Sequence, residues 1–274
     1  MLINGEPGQT IPVSDRGFHY GDGVFETIRV INKQLSFWPL HQRRLANACT
    51  LLAITLDLVA LQGDLDKLLT QSPANGIVKI IITRGSGGRG YAPGLSSATT
   101  RIVQFHELPP ANNGPTADGI RVKFCQQPLS VNSTLSGLKY LGRLDLVLAS
   151  MELDDGFDEG IMTTDSGQVI EGTRSNLFAV IDGELVTPNL RNAGVAGVMR
   201  EYLMERFAST GNPVQELDLE REDLSNASEM FLCNSVFGVW PVVELVSQNQ
   251  ILKLEIGSIT GLALEFQDEE FRLY

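Results

Sequence analysis

The chain of 274 residues is acidic, with 33 Asp and Glu against 21 Lys and Arg and a formal net charge of −12 at pH 7. Nucleic acids and anionic membranes select a basic protein face, so neither is expected as a partner. A hydrophobic fraction of 43% allows a sizeable core, and the length predicts a division into two domains.

Strand and helix patterns follow one another in the N-terminal half. Alternating apolar residues lead to a turn at Asn32-Lys33, which predicts a β-hairpin, and two helical patterns come next. Two β-rich runs then flank a glycine-rich loop, as adjacent strands would. The predicted elements are strands 24–31 and 35–38, helices 39–54 and 58–69, and strands 77–83 and 101–106.

The glycine-rich loop between those two runs carries two arginines and an aromatic ring. Its glycines alone would only permit a tight turn, and the Gly-Lys-Ser/Thr of a nucleotide-binding loop is missing. Arg84, Arg89 and Tyr91 instead offer charge and an aromatic edge that suit a rigid, carboxylated ring. We therefore expect this loop to recognise a substrate rather than a nucleotide.

A stretch rich in Pro, Asn and Gly follows near residues 108–118, and it can continue neither a helix nor a central strand. We place the domain linker there, between an N-terminal domain of residues 1–107 and a C-terminal domain of residues 119–274. The second half mixes strand and helix patterns and has a hairpin signal at Asp182-Gly183. Its predicted elements are strands 120–126, 159–164, 176–181, 184–186, 214–216 and 229–233, helices 140–153 and 198–209, and a solvated face or helix end at 265–270.

Lys139 and Glu171 are the residues with the most distinctive chemistry. Lys139 stands among apolar neighbours, where loss of water lowers the pKa of an amine and prepares it to form a Schiff base with an aldehyde. Pyridoxal phosphate needs such a lysine, and it also needs a carboxylate facing its pyridinium nitrogen, which Glu171 could supply. Taken singly, Lys139 could equally be a solvated residue and Glu171 a turn or cap residue.

Two further segments have the chemistry of a phosphate site. Arg44 lies on the predicted helix 39–54, drawn toward the protein body by an apolar stripe, and a guanidinium there could bind a phosphate bidentately. The alternative is an ordinary surface arginine. Gly194 and Gly197 lead into the helix that is predicted from Val198, and the free amides of such a helix N-terminus attract anions.

Five segments, in this order, resemble the fold type IV pyridoxal-phosphate enzymes, the family of branched-chain and D-amino-acid aminotransferases and 4-amino-4-deoxychorismate lyases. The resemblance covers most of the chain, and the loop from Arg84 to Tyr91 is most similar to that of the aminodeoxychorismate lyases. It implies a two-domain α/β (α+β) fold like that of D-amino-acid aminotransferase. The matching segments are Ser14-Asp15-Arg16 with Tyr20 to Glu26, His41 to Leu45, Leu138 to Leu144, Glu171 to Phe178, and Gly194 to Arg200.

The resemblance implies a role for each matching position. Lys139 would bind pyridoxal 5'-phosphate covalently and shuttle protons, and Glu171 would pair with the pyridine nitrogen. Arg44, Ser235 and the backbone at Val198 and Met199 would hold the phosphate. Ser175 and Asn176 would line the same pocket, and the substrate would meet Thr27, Arg29, Arg84, Arg89 and Tyr91.

The function that the resemblance implies is a lyase that converts 4-amino-4-deoxychorismate to 4-aminobenzoate and pyruvate, a step in folate precursor synthesis. The alternative is a transaminase of the same fold that acts on D-amino acids or branched-chain amino acids. A more distant alternative is a non-enzymatic protein that carries the cofactor. The family also implies a homodimer.

The remaining residue patterns bear on location and metals. The cysteines are odd in number, widely spaced and set in apolar stretches, which favours reduced core residues and a cytoplasmic protein. The histidines show no spacing that is typical of metal ligands, so no metal is expected. The N-terminus lacks the pattern of an export signal, and no segment has the roughly 18 apolar residues of a membrane span. The cysteines are Cys49, Cys125 and Cys233, and the histidines are His19, His41 and His106.

Overall fold

The computed structural model describes residues 1–94, 98–108, 118–154, 156–247 and 250–274, which form two compact units. The first unit comprises Met1–Leu108, the segment Leu138–Gly142 and Tyr274. The second comprises the described residues of Pro109–Gly137 and Arg143–Leu273. Most of the linker predicted at 108–118 lies outside the described residues. Lys139, expected in the C-terminal domain, packs with the first unit instead.

The first unit is built on a six-stranded sheet in the order β2-β1-β6-β5-β3-β4, in which neighbouring strands are antiparallel. The buried side chains of β3 alternate along the strand, and helix α2 packs on that strand while α3 packs on β6. Its elements are β1 (Leu2–Ile3), β2 (Glu6–Pro7), α1 (Arg16–Tyr20), β3 (Gly23–Ile31), β4 (Gln34–Leu35), α2 (Trp38–Leu51), α3 (Leu58–Gln71), β5 (Gly76–Thr83) and β6 (Thr100–His106).

The predicted hairpin partner at 35–38 is mostly wrong, since β4 ends at Leu35 and α2 begins at Trp38. Phe37 has a φ of 55° and Pro39 lies in the first turn of the helix, where its fixed φ suits helical geometry. The chain therefore turns into a helix before the strand can lengthen.

The second unit contains a sheet of nine strands in the order β12-β11-β10-β13-β14-β7-β8-β9, and β15 pairs with β14. Helices α5 and α7 pack on β13, where the rings of Phe178 and Phe231 stack with centroids 4.9 Å apart. Its elements are β7 (Ile120–Phe124), α4 (Leu144–Met151), β8 (Glu159–Thr163), β9 (Val169–Gly172), β10 (Asn176–Ile181), β11 (Glu184–Pro188), α5 (Val198–Ser209), β12 (Gln215–Leu217), α6 (Arg221–Leu224), β13 (Ala227–Asn234), β14 (Gly238–Ser247), β15 (Gln250–Lys253) and α7 (Ser258–Phe271).

The helix predicted at 140–153 begins only at Leu144. The preceding residues are held in an extended conformation by β3, because the amide of Phe25 donates to the carbonyl of Lys139 at 3.0 Å and the amide of Leu141 donates to the carbonyl of Gly23 at 3.0 Å. Lys139 therefore lies on a strand-like segment beside the first sheet and does not open a helix.

Candidate active site

The side chain of Lys139 lies over an aromatic ring of the first unit. The isolated bridge between Val24 and Tyr140 places Lys139 opposite Phe25. The Lys139 Nζ atom is 4.6 Å from the centroid of the Phe25 ring, within the range of a cation–π contact. The amine is thus held at a fixed place on one face of β3.

That face of β3 carries further polar side chains. Because side chains alternate along a strand, Phe25, Thr27 and Arg29 project from the same side. The pairing of Thr27 with Lys79 on β5 brings a second ammonium group to this face, with its Nζ 5.5 Å from the Phe25 centroid. The sequence analysis missed Lys79, although its place as the one charged residue in a β-rich run was a usable signal.

The opposite face of β3 presents a buried charged cluster that includes Arg44. The Nε and Nη2 atoms of Arg44 donate to the Glu26 carboxylate at 2.8 and 2.5 Å, and Nδ1 of His41 lies 2.6 Å from Glu26 Oε2. The guanidinium is therefore oriented by Glu26. Neither Glu26 nor His41 was singled out from the sequence, because their roles depend on packing between α2 and β3.

Charge and burial in this cluster act against each other. Burial alone would raise the pKa of Glu26, but attraction and hydrogen bonding to Arg44 and His41 outweigh it and lower the pKa to about 2. Burial lowers the pKa of His41, more than its contact with Glu26 raises it. At neutral pH the cluster therefore holds a carboxylate, a guanidinium and a neutral imidazole.

The structure places the two arginines of the glycine-rich loop differently. All three guanidinium nitrogens of Arg84 donate to protein oxygens, those of the Asp22 carboxylate and of the Leu52 and Ala53 carbonyls. Arg89 and Tyr91 are exposed, and Tyr91 keeps 87% of its surface accessible. Arg84 therefore helps to hold the loop in place, whereas the side chains of Arg89 and Tyr91 are exposed.

In the second unit, Glu171 lies buried on β9 with its carboxylate fixed by two donors. Its Oε2 accepts from the amide of Val195 at 2.8 Å and from Nδ2 of Asn176 at 3.4 Å. The same Asn176 Nδ2 donates to the Val195 carbonyl at 2.9 Å. The carboxylate, the amide side chain and the loop before α5 therefore form one hydrogen-bonded group, which brings together the predicted residues Glu171 and Asn176.

The loop before α5 leaves the helix N-terminus without a side-chain cap. Gly197 is the N-cap residue and has no side chain to cap the first amides, which belong to Val198 and Met199. An added Cβ at Gly197 would collide with Oδ1 of Asn176. Gly194 has a φ of +88°, a conformation that favours glycine. Uncapped amides at the start of a helix of this length can bind an anion such as a phosphate.

The remaining predicted residues of this unit are buried near turns. Ser175 Oγ donates to Oε2 of Glu159 at 3.4 Å, and Glu159 also accepts from the amide of Thr173 at 3.0 Å. Ser235 lies buried in the turn between β13 and β14, next to Asn234, whose side chain accepts from two following amides. Glu159, which the sequence analysis missed, holds the turn that joins Glu171 to Asn176.

These residues fit pyridoxal phosphate by the chemistry of the donor and acceptor groups. The fixed carboxylate of Glu171 suits a protonated pyridine nitrogen, and the uncapped start of α5 suits a phosphate. Lys139, over the ring of Phe25, supplies the amine. Within the described ranges, no three His, Cys, Asp or Glu side chains come together as a metal site. None of the described helices combines the length and hydrophobicity that a bilayer crossing requires.

The chain is similar to known proteins along most of its length. Residues 23–245 match the model of the amino-transferase class IV family. An aminodeoxychorismate lyase of Vibrio harveyi is 35% identical over 260 residues, which are 94% of this chain and 96% of that protein. A putative branched-chain-amino-acid aminotransferase of Methanocaldococcus jannaschii is 29% identical over 98% of this chain and 95% of that protein. The crystal structure of 4-amino-4-deoxychorismate lyase from Pseudomonas aeruginosa matches with a TM-score of 0.90 at 39% identity, covering 98% of this chain and 97% of that one.

Proposed function

Because the chain belongs to the amino-transferase class IV family, we propose that it is a pyridoxal-phosphate-dependent lyase that converts 4-amino-4-deoxychorismate to 4-aminobenzoate and pyruvate. The observation that carries the proposal is the combined similarity to the Vibrio harveyi and Pseudomonas aeruginosa lyases, which spans nearly the whole chain. The residues that fit the cofactor support a pyridoxal-phosphate-dependent activity. The glycine-rich loop supports lyase rather than transaminase activity.

Each cofactor residue has a task that its surroundings favour. When bound, pyridoxal phosphate supplies an electron sink for a carbanion formed next to the substrate nitrogen. Lys139 would attach the cofactor through Nζ, and Glu171 would hold a proton on the ring nitrogen. The amides of Val198 and Met199, with Arg44 and the hydroxyl of Ser235, would bind the phosphate. Ser175 and Asn176 would keep the carboxylate side of the pocket in place.

The substrate carries two carboxylates, so attraction must be local in a chain of net charge −12. Arg29 and Lys79 supply positive charge on the Phe25 face of β3, and Arg89 with Tyr91 supplies charge and an aromatic edge on the loop. Lys139 Nζ lies on the same β3 face as Thr27. We assign substrate binding to this face and to the exposed part of the loop.

The reaction requires the movement of two protons and the breaking of one carbon–oxygen bond. Lys139 Nζ would be the base that takes the proton from the ring carbon bearing the substrate amine. The enolpyruvyl C–O bond then breaks and the ring becomes aromatic. Protonation of the enolpyruvyl methylene yields pyruvate, and Lys139, Thr27 and a water molecule are the three candidate donors for that step.

The test is a paired product assay. Purified protein is mixed with enzymatically generated aminodeoxychorismate, and 4-aminobenzoate fluorescence and pyruvate are followed together, with D-alanine plus 2-oxoglutarate as the parallel reaction. Equal amounts of the two products would establish the lyase. Turnover of D-alanine alone would show that the enzyme is a transaminase and that the loop has been misassigned.

Lys139→Ala is the variant that separates catalysis from carrier function. We expect turnover to fall by at least about a hundredfold, since a positioned acid–base group contributes about 10²–10⁴, and the absorbance of covalently bound cofactor to disappear. The matched control is Lys67→Ala, which removes a half-exposed lysine of the same unit. Turnover by the Lys139 variant at a rate within about tenfold of the wild type would refute the assignment of Lys139.

We further propose a cytoplasmic homodimer. The support for the cytoplasm is that all three cysteines are free and buried, and burial raises the pKa of each thiol to about 12, so that they behave as inert core residues. The support for the dimer is the family itself. Light scattering coupled to size exclusion, at the concentration of the activity assay, tests it directly, and a monomeric active peak would refute it.

A further inference from the structure

Asp22 occupies the junction between α1 and β3, and its carboxylate is bound by two arginines. Its Oδ2 accepts from Nε of Arg16 and from Nε of Arg84, each at 2.8 Å, and its Oδ1 accepts from Nη2 of Arg84 at 3.0 Å. Burial alone would raise the pKa of Asp22, but these hydrogen bonds and charges outweigh it and lower the pKa. The residue is therefore a fixed anion between two cations.

Both arginines go on to hold the glycine-rich loop. Nη1 and Nη2 of Arg16 donate to the carbonyls of Gly90 and Tyr91, each at 3.0 Å, and its backbone amide donates to the carbonyl of Gly85 at 2.9 Å. The amide of Arg84 donates to the carbonyl of Asp22 at 3.1 Å. Both ends of the segment from Arg84 to Tyr91 are thus tied to the Asp22 region, while Arg89 between them is exposed.

The same junction abuts the segment that carries Lys139. A Cβ at Gly21 would lie 3.2 Å from the amide nitrogen of Gly142, and a Cβ at Gly23 would lie 2.8 Å from Cδ1 of Leu141. The close approach leaves little freedom for Asp22 to shift without disturbing its neighbours. Asp22 thus has a fixed position relative to both the loop and the Lys139 segment.

We propose that Asp22 is a positioning residue for substrate specificity, which acts through Arg16 and Arg84 to hold the loop so that Arg89 and Tyr91 meet the anionic substrate. The inference deepens the proposed function and rests on it for the identity of the substrate. Asp22 itself touches no substrate. Arg84, which looks in the sequence like a substrate ligand, is part of the support for the loop.

The test is Asp22→Asn in the full-length holoenzyme. The amide nitrogen of Asn would face guanidinium donors, so at least one arginine loses its acceptor, whereas the contacts of Arg84 with Leu52 and Ala53 are retained. We expect KM for aminodeoxychorismate to rise roughly ten- to hundredfold, as small misplacements of positioning groups do, with kcat changed much less. Bound-cofactor absorbance should be unchanged, and trypsin cleavage after Arg89 should be about tenfold faster, because a loosened loop opens more often.

Asp64→Asn is the matched control. Asp64 pairs with Arg101 at 2.9 Å in the same unit, and its side chain is 8% exposed against 15% for Asp22. The control should leave both KM and cleavage after Arg89 within about twofold of the wild type. Equal effects of the two variants would mean general destabilisation and would overturn the proposal, as would unchanged KM and cleavage in Asp22→Asn.

A second variant tests the proposal independently if Asp22→Asn fails to fold. Arg16→Lys keeps a cation beside Asp22 but cannot reproduce the forked bonds to Gly90 and Tyr91. It should show the same faster cleavage after Arg89, and wild-type cleavage would overturn the proposal. If the wild-type protein has no lyase activity, the proposed function fails, while the cleavage measurements still decide whether Asp22 positions the loop.

Discussion

Replacement of Glu26 by Gln tests the buried cluster that orients Arg44. The variant keeps the shape of the side chain but removes the charge that faces the guanidinium at 2.8 and 2.5 Å. It also places an amide group where His41 Nδ1 and Arg44 both need an acceptor. Because the cluster is almost entirely buried, solvent can restore little of this interaction.

The magnitude follows from the pKa of Glu26. A fall from an ordinary value of 4.5 to about 2 corresponds to about 3 kcal/mol of stabilisation, since one pKa unit is about 1.4 kcal/mol. His41 is neutral near pH 7, so part of the attraction credited to its charge is absent there, and we expect a loss of about 2–3 kcal/mol in Glu26→Gln. The folded pKa is the lower one, so this stabilisation is complete above pH 4.5 and is lost as the pH falls toward 2.

Urea unfolding of both proteins at pH 7 and at pH 3 measures the effect. The difference in unfolding free energy should be about 2–3 kcal/mol at pH 7 and should shrink by more than half at pH 3. Glu6→Gln is the control, because its pair with Lys67 is exposed at 3.9 Å and is expected to contribute less than about 1 kcal/mol. A loss no larger than that of the control, or a loss independent of pH, would refute the reasoning.

Two further substitutions address the second unit. Gly197→Ala would place a methyl group against Oδ1 of Asn176 at the uncapped start of α5. The affinity for the cofactor, measured by equilibrium dialysis, should therefore fall at least about tenfold. The control is Gly63→Ala, where a Cβ meets nothing within 4 Å, and it should leave the cofactor affinity unchanged. Glu229 caps the start of α7, because its carboxylate accepts from the amide of Thr260 at 2.7 Å while the N-cap residue Gly257 has no side chain. Glu229→Ala should lower the unfolding free energy by about 1–2 kcal/mol. A change below about 0.5 kcal/mol in a urea titration would contradict this capping role.

The strands and helices with regular patterns could be predicted from the sequence, because their periodicity is local. Strand β3 has alternating burial from Val24 to Val30, and the pairing of β5 with β6 confirms the expectation that the two β-rich runs are neighbours. The conformation around Lys139 could not be predicted in this way. Leu141 favours a helix by its propensity, but hydrogen bonds between this segment and β3, which is distant in sequence, hold it extended.

The residues of the candidate site also fall into two groups, those that the sequence could predict and those that it could not. Lys139, Glu171 and the glycines before α5 could be predicted as site residues because they occur together in segments that resemble one family, although each residue taken singly had an ordinary alternative. Glu26 and Asp22 do not stand out in this way, because each acts through an arginine on another element, and packing between elements determines which residues meet. A lone acidic or basic residue in a strand gives no indication of its partner.

The arrangement of acids in the first unit explains how an acidic protein can favour a dianionic substrate. Glu26 compensates Arg44 on one face of β3, and Asp22 compensates Arg16 and Arg84 at the base of the loop. Those carboxylates therefore orient cations and are neutralised by them. The exposed acids elsewhere on the protein repel the ligand only weakly, since salt limits the reach of exposed charge to about 8–10 Å. In the proposed site, the charges that would act on the substrate are those on the Phe25 face and at Arg89. Selectivity for the anion then depends on local geometry, so loosening the loop should weaken substrate binding even though the net charge of the protein barely changes.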